Sequence, residues 1–174
     1  MPKIIEQLRE KLLVEAKKQI QEQGYAKTTI RSVAAALDVG VGTVYNYFES
    51  KEMLIATFVY EDWKEYLQSM AALPKDDERI LLGGIFDALK QFSLEHERLF
   101  SDNDAERTVS TGSSTRHKIL RDQIASFILP ICETKGIKSP CFTAEFLAES
   151  IICWSMEKKD FDEIYPILEK IIKA

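Results

Sequence analysis

With 174 residues, 45% of them hydrophobic and 29% charged, the chain has enough apolar material for a sizeable core, which excludes a disordered segment. The few glycines and prolines, together with stretches rich in Leu, Ile, Ala, Glu and Lys, predict an all-α protein. Its apolar stretches are shorter than the ~18 residues needed to cross a bilayer, and its start lacks a signal-like core, so we expect a cytoplasmic protein with no membrane partner.

The net charge of −5 is unevenly distributed along the chain. Residues 1–51 carry eight Lys or Arg and six Asp or Glu, whereas residues 52–174 carry 15 Lys or Arg and 22 Asp or Glu. A basic surface favours contact with nucleic-acid phosphates, and an acidic one opposes it. The pattern fits a protein that meets DNA with its amino-terminal part.

A first amphipathic helix is predicted from Pro2 to Gln23, because apolar residues recur there every three or four positions. Gly24 is expected to end it. The hydroxyls of Thr28 and Thr29 are suited to cap a short second helix.

A tight turn is predicted at Asp38-Val39-Gly40, because Asp tolerates a left-handed backbone and Gly prefers one. Helical residues resume near Val41. Two short helices joined in this way, with small residues where they cross, predict a helix-turn-helix from about Thr28 to Phe48.

The remaining chain is predicted to be helical, with Gly83-Gly84 weakening one helix in its middle and a loop over Ser101 to Thr115. The expected helices run from near Ser50 to before Pro74, from Asp76 toward Phe100, from His117 to Cys132, from Thr143 to Lys158 and from Asp162 to Lys173.

The second helix of the helix-turn-helix is expected to bury Val39, Val44 and Phe48 against the first. This leaves the following residues on its outer side: Val41, Gly42, Thr43, Tyr45, Asn46 and Tyr47. Two phenols and a hydroxyl, together with Lys51, are the donors expected around phosphate oxygens. An aromatic core stripe is the alternative for the tyrosines, but the short helix already uses Val44 and Phe48 for its buried side.

These residues resemble the TetR family of bacterial repressors. The resemblance rests on TTIRSVA at 28–34 and VGVGTVYNYFESKEML at 39–54, and it covers about the first third of the chain. It implies a helix-turn-helix DNA-binding domain over residues 1–52 and a helical ligand-binding and dimerisation domain over residues 53–174. It also implies a transcriptional repressor that binds a palindromic operator in double-stranded DNA as a homodimer and is released by a small-molecule effector, whose identity is unknown.

The resemblance also implies which residues contact DNA. Phosphate contacts would fall on Thr29, Thr43, Tyr45, Tyr47 and Lys51. Base-edge contacts would fall on Arg31, Val41 and either Gly42 or Asn46. Two positions depart from the family pattern: Asp38 stands where Gly is usual, and Gly40 stands where Ser is frequent, which removes one hydroxyl that could cap a helix or bind phosphate.

The body of the protein is less diagnostic. The resemblance implies a four-helix dimer interface formed by the last two helices, for which the sequence offers Phe146, Ile151, Trp154, Ile164 and Leu168, although the same stripe would serve a monomer core. A ligand pocket is expected between the helices that begin near Ser50, Asp76 and Arg116. Its candidate lining residues are Tyr60, Trp63, Phe86, Phe92 and Phe127.

No catalytic residue, metal site or cofactor is expected. His96 lies between two glutamates that point to other helix faces, so a solvated surface is the better interpretation, and His117 also has a surface context. The three cysteines have no metal-binding spacing and are expected in the core.

Two alternatives stay open from the sequence. One is a small-molecule-binding helical module that has kept the fold without binding an operator. The other is an unrecognised hydrolase, although the nucleophile and dinucleotide motifs are broken, so we expect no enzyme.

Overall fold

The computed structural model describes residues 7–101 and 113–173, which form helices joined by turns, with no strand among them. The predicted all-α class is confirmed. The helices are α1 (Leu8–Gln23), α2 (Ile30–Ala36), α3 (Val41–Tyr45), α4 (Lys51–Ala71), α5 (Glu78–Glu95), α6 (Glu97–Phe100), α7 (Ser113–Thr134), α8 (Pro140–Met156) and α9 (Phe161–Lys173).

Two sequence predictions fall partly outside the described residues. These are the start of the first helix at Pro2 and most of the loop predicted over Ser101 to Thr115. Within the described ranges, none of the helices is long and apolar enough to span a membrane.

The described residues divide into two compact units. Residues 7–64 and 96–101 belong to the first unit, and residues 65–95 and 113–173 belong to the second. The division falls inside α4. The assignment of DNA binding to residues 1–52 and of ligand binding to residues 53–174 concerns function and stays a prediction.

The first unit is built around a core contributed by α1 to α4, as the spacing of apolar residues predicts. Burying one such side chain contributes about 1.5–3 kcal/mol to folding. Its members are less than a tenth exposed and include Leu12, Ala16, Val33, Val44, Phe48 and Phe58.

The turns of the first unit follow the sequence with one exception. Gly24 ends α1 with a φ of 85°, and its N–H donates to the Ile20 carbonyl at 2.9 Å. Asp38 adopts the predicted left-handed conformation, with a φ of 55°. The prediction for Gly40 was wrong: its φ is −67° and its ψ 143°, an extended residue that leads into α3. One left-handed residue is enough to reverse the chain here, because Val39 bonds back to Ala34.

His96 corrects a second prediction, since it is buried and not solvated. The helix breaks at this residue between α5 and α6, and the ring turns inward between Phe58 and Phe100, at centroid distances of 6.2 and 5.8 Å. Its Nε2 lies 3.0 Å from Asp62 Oδ2, which also pairs with Lys17 Nζ at 2.7 Å. This cluster links α1, α4 and α6.

Arg98 of α6 also contacts the end of α1. Its Nη1 donates to the carbonyls of Gln21 and Glu22 at 2.6 and 2.9 Å. A cation at the last carbonyls of a helix satisfies acceptors that have no partner inside the helix and complements its dipole.

In the second unit α8 packs against both α7 and α5. The helix α5 is continuous through Gly83-Gly84, and the two glycines allow close packing on either side. A Cβ at Gly84 would lie 2.6 Å from the Leu73 side chain, and one at Gly83 would lie 3.1 Å from the Phe161 ring. The fully buried side chains of this unit include Leu81, Ile85, Phe86, Ile128, Leu147 and Ile151.

Candidate nucleic-acid interface

The outer face of α3 carries exposed polar and aromatic side chains. Val44 and Phe48 are 0% and 3% exposed and fix α3 against the core, whereas Tyr45 and Tyr47 are 51% and 47% exposed. The other outward residues are exposed at Gly42 and Asn46 and half-buried at Val41 and Thr43. The two phenols, Tyr45 at the end of α3 and Tyr47 in the turn after it, therefore point away from the core that Val44 and Phe48 help to build.

The start of α2 carries two further exposed side chains, those of Thr29 and Arg31. Thr29 is the N-cap: its Oγ1 accepts from the N–H of Ser32 at 3.0 Å, and the Ser32 hydroxyl accepts from the N–H of Thr29 at 3.0 Å. This reciprocal capping satisfies two backbone donors. Because Thr29 serves as acceptor, its hydroxyl proton is left for a phosphate oxygen.

Gln19 lies beneath this capping box and was missed by the sequence analysis. It is 8% exposed, and its amide bonds to the hydroxyl and the carbonyl of Ser32. The available signal was a polar residue within the apolar stripe of α1, between Ala16 and Ile20.

Lys51 begins α4 and contacts the segment between α1 and α2. Its Nζ donates to the Tyr25 carbonyl at 2.5 Å and lies 3.6 Å from the centroid of the Tyr25 ring. The Tyr25 hydroxyl donates to Glu52 Oε1 at 3.2 Å. Lys51 is half-buried, and the Tyr25 carbonyl uses one of the three N–H donors of its ammonium group.

The carboxylate of Glu52 is stabilised in its charged form. The hydrogen bond from its own backbone N–H lowers its pKa most, followed by that from the Ser50 hydroxyl, and the Tyr25 hydroxyl and the charge of Lys51 add to them against the cost of burial. A carboxylate in the first turn of α4 also complements the helix dipole.

Residues 12–57 match the family model of the bacterial regulatory proteins of the tetR family. The match covers about a quarter of the chain and lies within its amino-terminal part. A segment of 54 residues is 37% identical to the HTH-type transcriptional regulator HbdR of Aromatoleum sp. (strain CIB) and covers 31% of the chain. It spans 24% of the length of HbdR.

Solved structures share the fold of this chain over nearly its whole length. A TetR/AcrR regulator from Thermobifida fusca YX-ER1 aligns with a TM-score of 0.65 and 17% identity, over 97% of this chain and 98% of that one. The TetR-family regulator ECA1819 from Pectobacterium atrosepticum aligns at 0.64 and 20%, over 95% and 88%. BioQ with its double-stranded DNA operator aligns at 0.54 and 18%, over 94% of each chain.

The predicted pocket residues are divided between the units. Tyr60, which is 61% exposed, and Trp63 belong to the first unit. The second unit contains Phe86, Phe92 and Phe127, and Phe86 is a core residue, 1% exposed and packed against Phe161. The pocket stays a prediction. Among the described residues no three His, Cys, Asp or Glu side chains are grouped to hold a metal ion.

The residues predicted for the dimer interface lie on two faces of α8 and α9. Ile151, Ile164 and Leu168 are buried in the second unit's own core, at 0%, 8% and 3% exposure, so they are not available to a partner. Phe146 and Trp154 are exposed. The stripe was interpreted as one face, whereas these helices have an apolar residue on both their inner and outer sides.

We use the name outer α8–α9 face for four exposed apolar side chains of these two helices, which are Phe142, Phe146, Trp154 and Ile167; Met156, the last residue of α8, is exposed as well. Cys153 is also exposed on α8, as is Cys141, which corrects the expectation of three core cysteines, and Cys132 alone of the three is buried. Neither exposed cysteine was predicted, because α8 is apolar on nearly every side.

Proposed function

We propose that this chain is a sequence-specific DNA-binding transcriptional regulator that acts as a repressor. The observation that carries the proposal is the outer face of α3 and of the turn that follows it, where Tyr45 and Tyr47 are half exposed while Val44 and Phe48 are buried. Exposed phenols beside hydroxyls and cations supply donors for phosphate oxygens. The core contacts of this segment are already made by Val44 and Phe48, so the two exposed tyrosines are not needed for folding.

The roles of the individual side chains follow from their chemistry. Thr29, Thr43, Tyr45, Tyr47 and Lys51 donate hydrogen bonds to phosphates, which adds affinity without sequence preference. The base contacts come from Arg31, Val41, Gly42 and Asn46. Arg31 can donate two hydrogen bonds to a guanine edge, and each bidentate contact discriminates by about 1–3 kcal/mol.

A second copy of the chain completes the operator-binding form in this proposal. The two helix-turn-helix units of a two-fold symmetric dimer meet half-sites about 34 Å or a multiple apart, and this symmetry makes the operator palindromic. The outer α8–α9 face supports the partner role, because four large apolar side chains on two adjacent helices are exposed to water in the single chain. The interface therefore consists of these residues and not of the buried Ile151, Ile164 and Leu168.

The relatives support the same function. HbdR is named as a transcriptional regulator, and BioQ was solved with its double-stranded DNA operator. We assign DNA binding to residues 1–52 and the binding of a small-molecule effector to residues 53–174, and the effector releases the operator by favouring a form of the dimer that does not fit both half-sites.

The test is selection of bound fragments from a genomic library with the unmodified protein at 100 mM salt. We expect recovery of a palindromic site. The variant Arg31→Ala with Tyr47→Phe should lose at least tenfold in affinity for the selected duplex. The matched control is Arg79→Ala with Tyr60→Phe, two exposed residues outside α2 and α3, which should bind as the unmodified protein does. Equal binding by both variants would refute the proposal, and so would a chain that binds no duplex.

A further inference from the structure

A buried amide links α1 to the first turn of α2. Gln19 is 8% exposed and makes its contacts with both ends of the amide. Its Nε2 donates to Glu15 Oε1 at 2.8 Å and to the Ser32 carbonyl at 3.2 Å. Its Oε1 accepts from the Ser32 hydroxyl at 2.6 Å. The Gln19 amide thus both donates to Ser32, at its carbonyl, and accepts from Ser32, at its hydroxyl.

The Glu15 carboxylate fixes the direction of this amide. A carboxylate accepts and does not donate, so the end of Gln19 that faces it must be the NH₂ group. The oxygen of the amide is then the end that faces the Ser32 hydroxyl. The arrangement has one consistent assignment of donors and acceptors, and a side chain without both functions cannot reproduce it.

The bond to Gln19 sets the direction of the Ser32 hydroxyl. That hydroxyl has one proton and lies 2.6 Å from Gln19 Oε1 and 2.9 Å from the Thr29 carbonyl. With Gln19 present the shorter bond takes the proton, and the lone pairs accept the N–H of Thr29. Without the amide the proton turns to the Thr29 carbonyl. The cap of α2 is then kept, but its link to α1 is lost.

We propose that Gln19 is a positioning residue for DNA binding. It holds the turn from Thr29 to Ser32 in a fixed place on α1 and thereby fixes the direction of Arg31 within that turn. The contact of Arg31 with a guanine edge needs two parallel hydrogen bonds, so it depends on the exact position of this turn. A small displacement of the turn misaligns both bonds. This inference rests on the proposed function, and it adds a residue that does not touch DNA.

The test uses Gln19→Met, which keeps the length and apolar volume of the side chain and removes both hydrogen bonds to Ser32. The probes are the tightest duplex recovered from the genomic library and a scrambled duplex of the same composition. We expect the affinity for the selected duplex to fall about 3- to 10-fold, the range of one lost hydrogen bond. The affinity for the scrambled duplex should fall less, because the single phosphate contact of Thr29 tolerates a displacement that misaligns both bonds of Arg31. The control is Gln23→Met, one turn further along α1, whose exposed amide makes only a 3.4 Å contact with Gln19.

A double-mutant cycle separates positioning from a merely structural role. In an Arg31→Ala background, Gln19→Met should have little further effect, because the contact that it supports is already gone. Ser32→Ala removes the hydrogen bond to Gln19 Oε1 from the other side, together with the Ser32 half of the capping box, so it serves if Gln19→Met does not fold. It should also lose more affinity for the selected duplex than for the scrambled one.

Three results would overturn the inference: an unchanged affinity for the selected duplex, an equal loss on both duplexes, or losses that add with Arg31→Ala. A failure of the proposed function is distinguishable from these, because it shows in the unmodified protein, which would then bind neither duplex with preference.

Discussion

The ammonium group of Lys51 lies 3.6 Å from the centroid of the Tyr25 ring and donates a hydrogen bond to the Tyr25 carbonyl. The first residue of α4 is thereby joined to the segment between α1 and α2. The family resemblance assigns Lys51 to a phosphate contact, and the bond to Tyr25 is compatible with that role. An ammonium group has three donors, so one can bind the Tyr25 carbonyl while another reaches a phosphate oxygen of DNA. The residue then has two separable effects.

Replacing Lys51 by Met should reveal both effects. Loss of the contact with the ring should lower the free energy of unfolding by about 0.5–1 kcal/mol, the usual size of a cation–π contact near the surface. Loss of a phosphate contact should reduce the dependence of log affinity on log salt by about 0.9. Denaturant unfolding and binding titrations at several salt concentrations measure the two.

Lys64 offers the matched control for this experiment. Its Nζ lies 5.6 Å from the centroid of the Tyr60 ring on the exposed side of α4. Lys64 and Tyr60 are thus the same pair of residue types as Lys51 and Tyr25, but at a longer distance and with a weaker interaction. Lys64→Met should leave both measurements unchanged. A Lys51→Met protein that is less stable but has an unaltered salt dependence would remove Lys51 from the phosphate contacts.

The cap of α2 predicts a difference between two substitutions of Thr29. Thr29→Val removes the oxygen that accepts the Ser32 N–H and should lower the free energy of unfolding by about 1 kcal/mol. Thr29→Ser keeps the oxygen and should stay close to the unmodified protein. Thr57→Val is the control, because the Thr57 hydroxyl bonds to the Met53 carbonyl inside α4 and caps nothing. Equal stability of the Val and Ser variants at 29 would show that the cap contributes little.

The two histidines predict opposite results. His96 is buried between two rings and lies against Asp62, so His96→Ala opens a cavity and leaves Asp62 with Lys17. It should lower the free energy of unfolding by about 2–4 kcal/mol. His117 is 47% exposed and pairs with Glu149 at the surface, so His117→Ala should change it by less than about 0.5 kcal/mol. Thermal unfolding of the two variants compares them directly, and similar losses would contradict the buried role of His96.

Glu52 predicts a dependence of stability on pH. Folding lowers the pKa of its carboxyl from the ordinary value of 4.5, so its contribution is present above that value and is lost as the pH falls through the lower pKa of the folded chain. Glu52→Gln should therefore be less stable than the unmodified protein at pH 7, and the difference should shrink as the pH falls below 4.5 and the carboxyl becomes protonated in the folded chain. Unfolding midpoints across this range measure the difference. A gap that widens toward acid would reverse the sign and refute the prediction.

The parts of the fold that were predicted correctly depend on neighbours in the sequence. Gly24, the cap at Thr29 and the left-handed Asp38 are decided within four residues, and the burial of Val44 and Phe48 follows from the helical repeat. These signals define the helix-turn-helix before any tertiary contact is known.

The parts that were missed depend on contacts distant in the sequence. His96 is buried because it meets Asp62 and Phe58, more than thirty residues earlier, and nothing adjacent to it signals that contact. Gln19 is 13 residues from Ser32. In α8 the apolar residues surround the helix, so the repeat could not separate the buried Ile151 from the exposed Phe146.

The outer α8–α9 face yields the remaining prediction. Phe146 and Ile167 are 49% and 62% exposed in the single chain, so a charge at each should cost the protomer little but should prevent a second copy from burying them. The unmodified protein should sediment with about twice the chain mass of 19.9 kDa, and Phe146→Asp with Ile167→Asp should sediment as a monomer. The double variant should also bind the palindromic duplex no better than a single half-site, because two helix-turn-helix units are then no longer held in register. The control is Ile80→Asp with Leu94→Asp, which charges two comparably exposed positions on α5 and should leave the dimer intact. A dimer that survives the change at 146 and 167 would place the contact between copies on another surface.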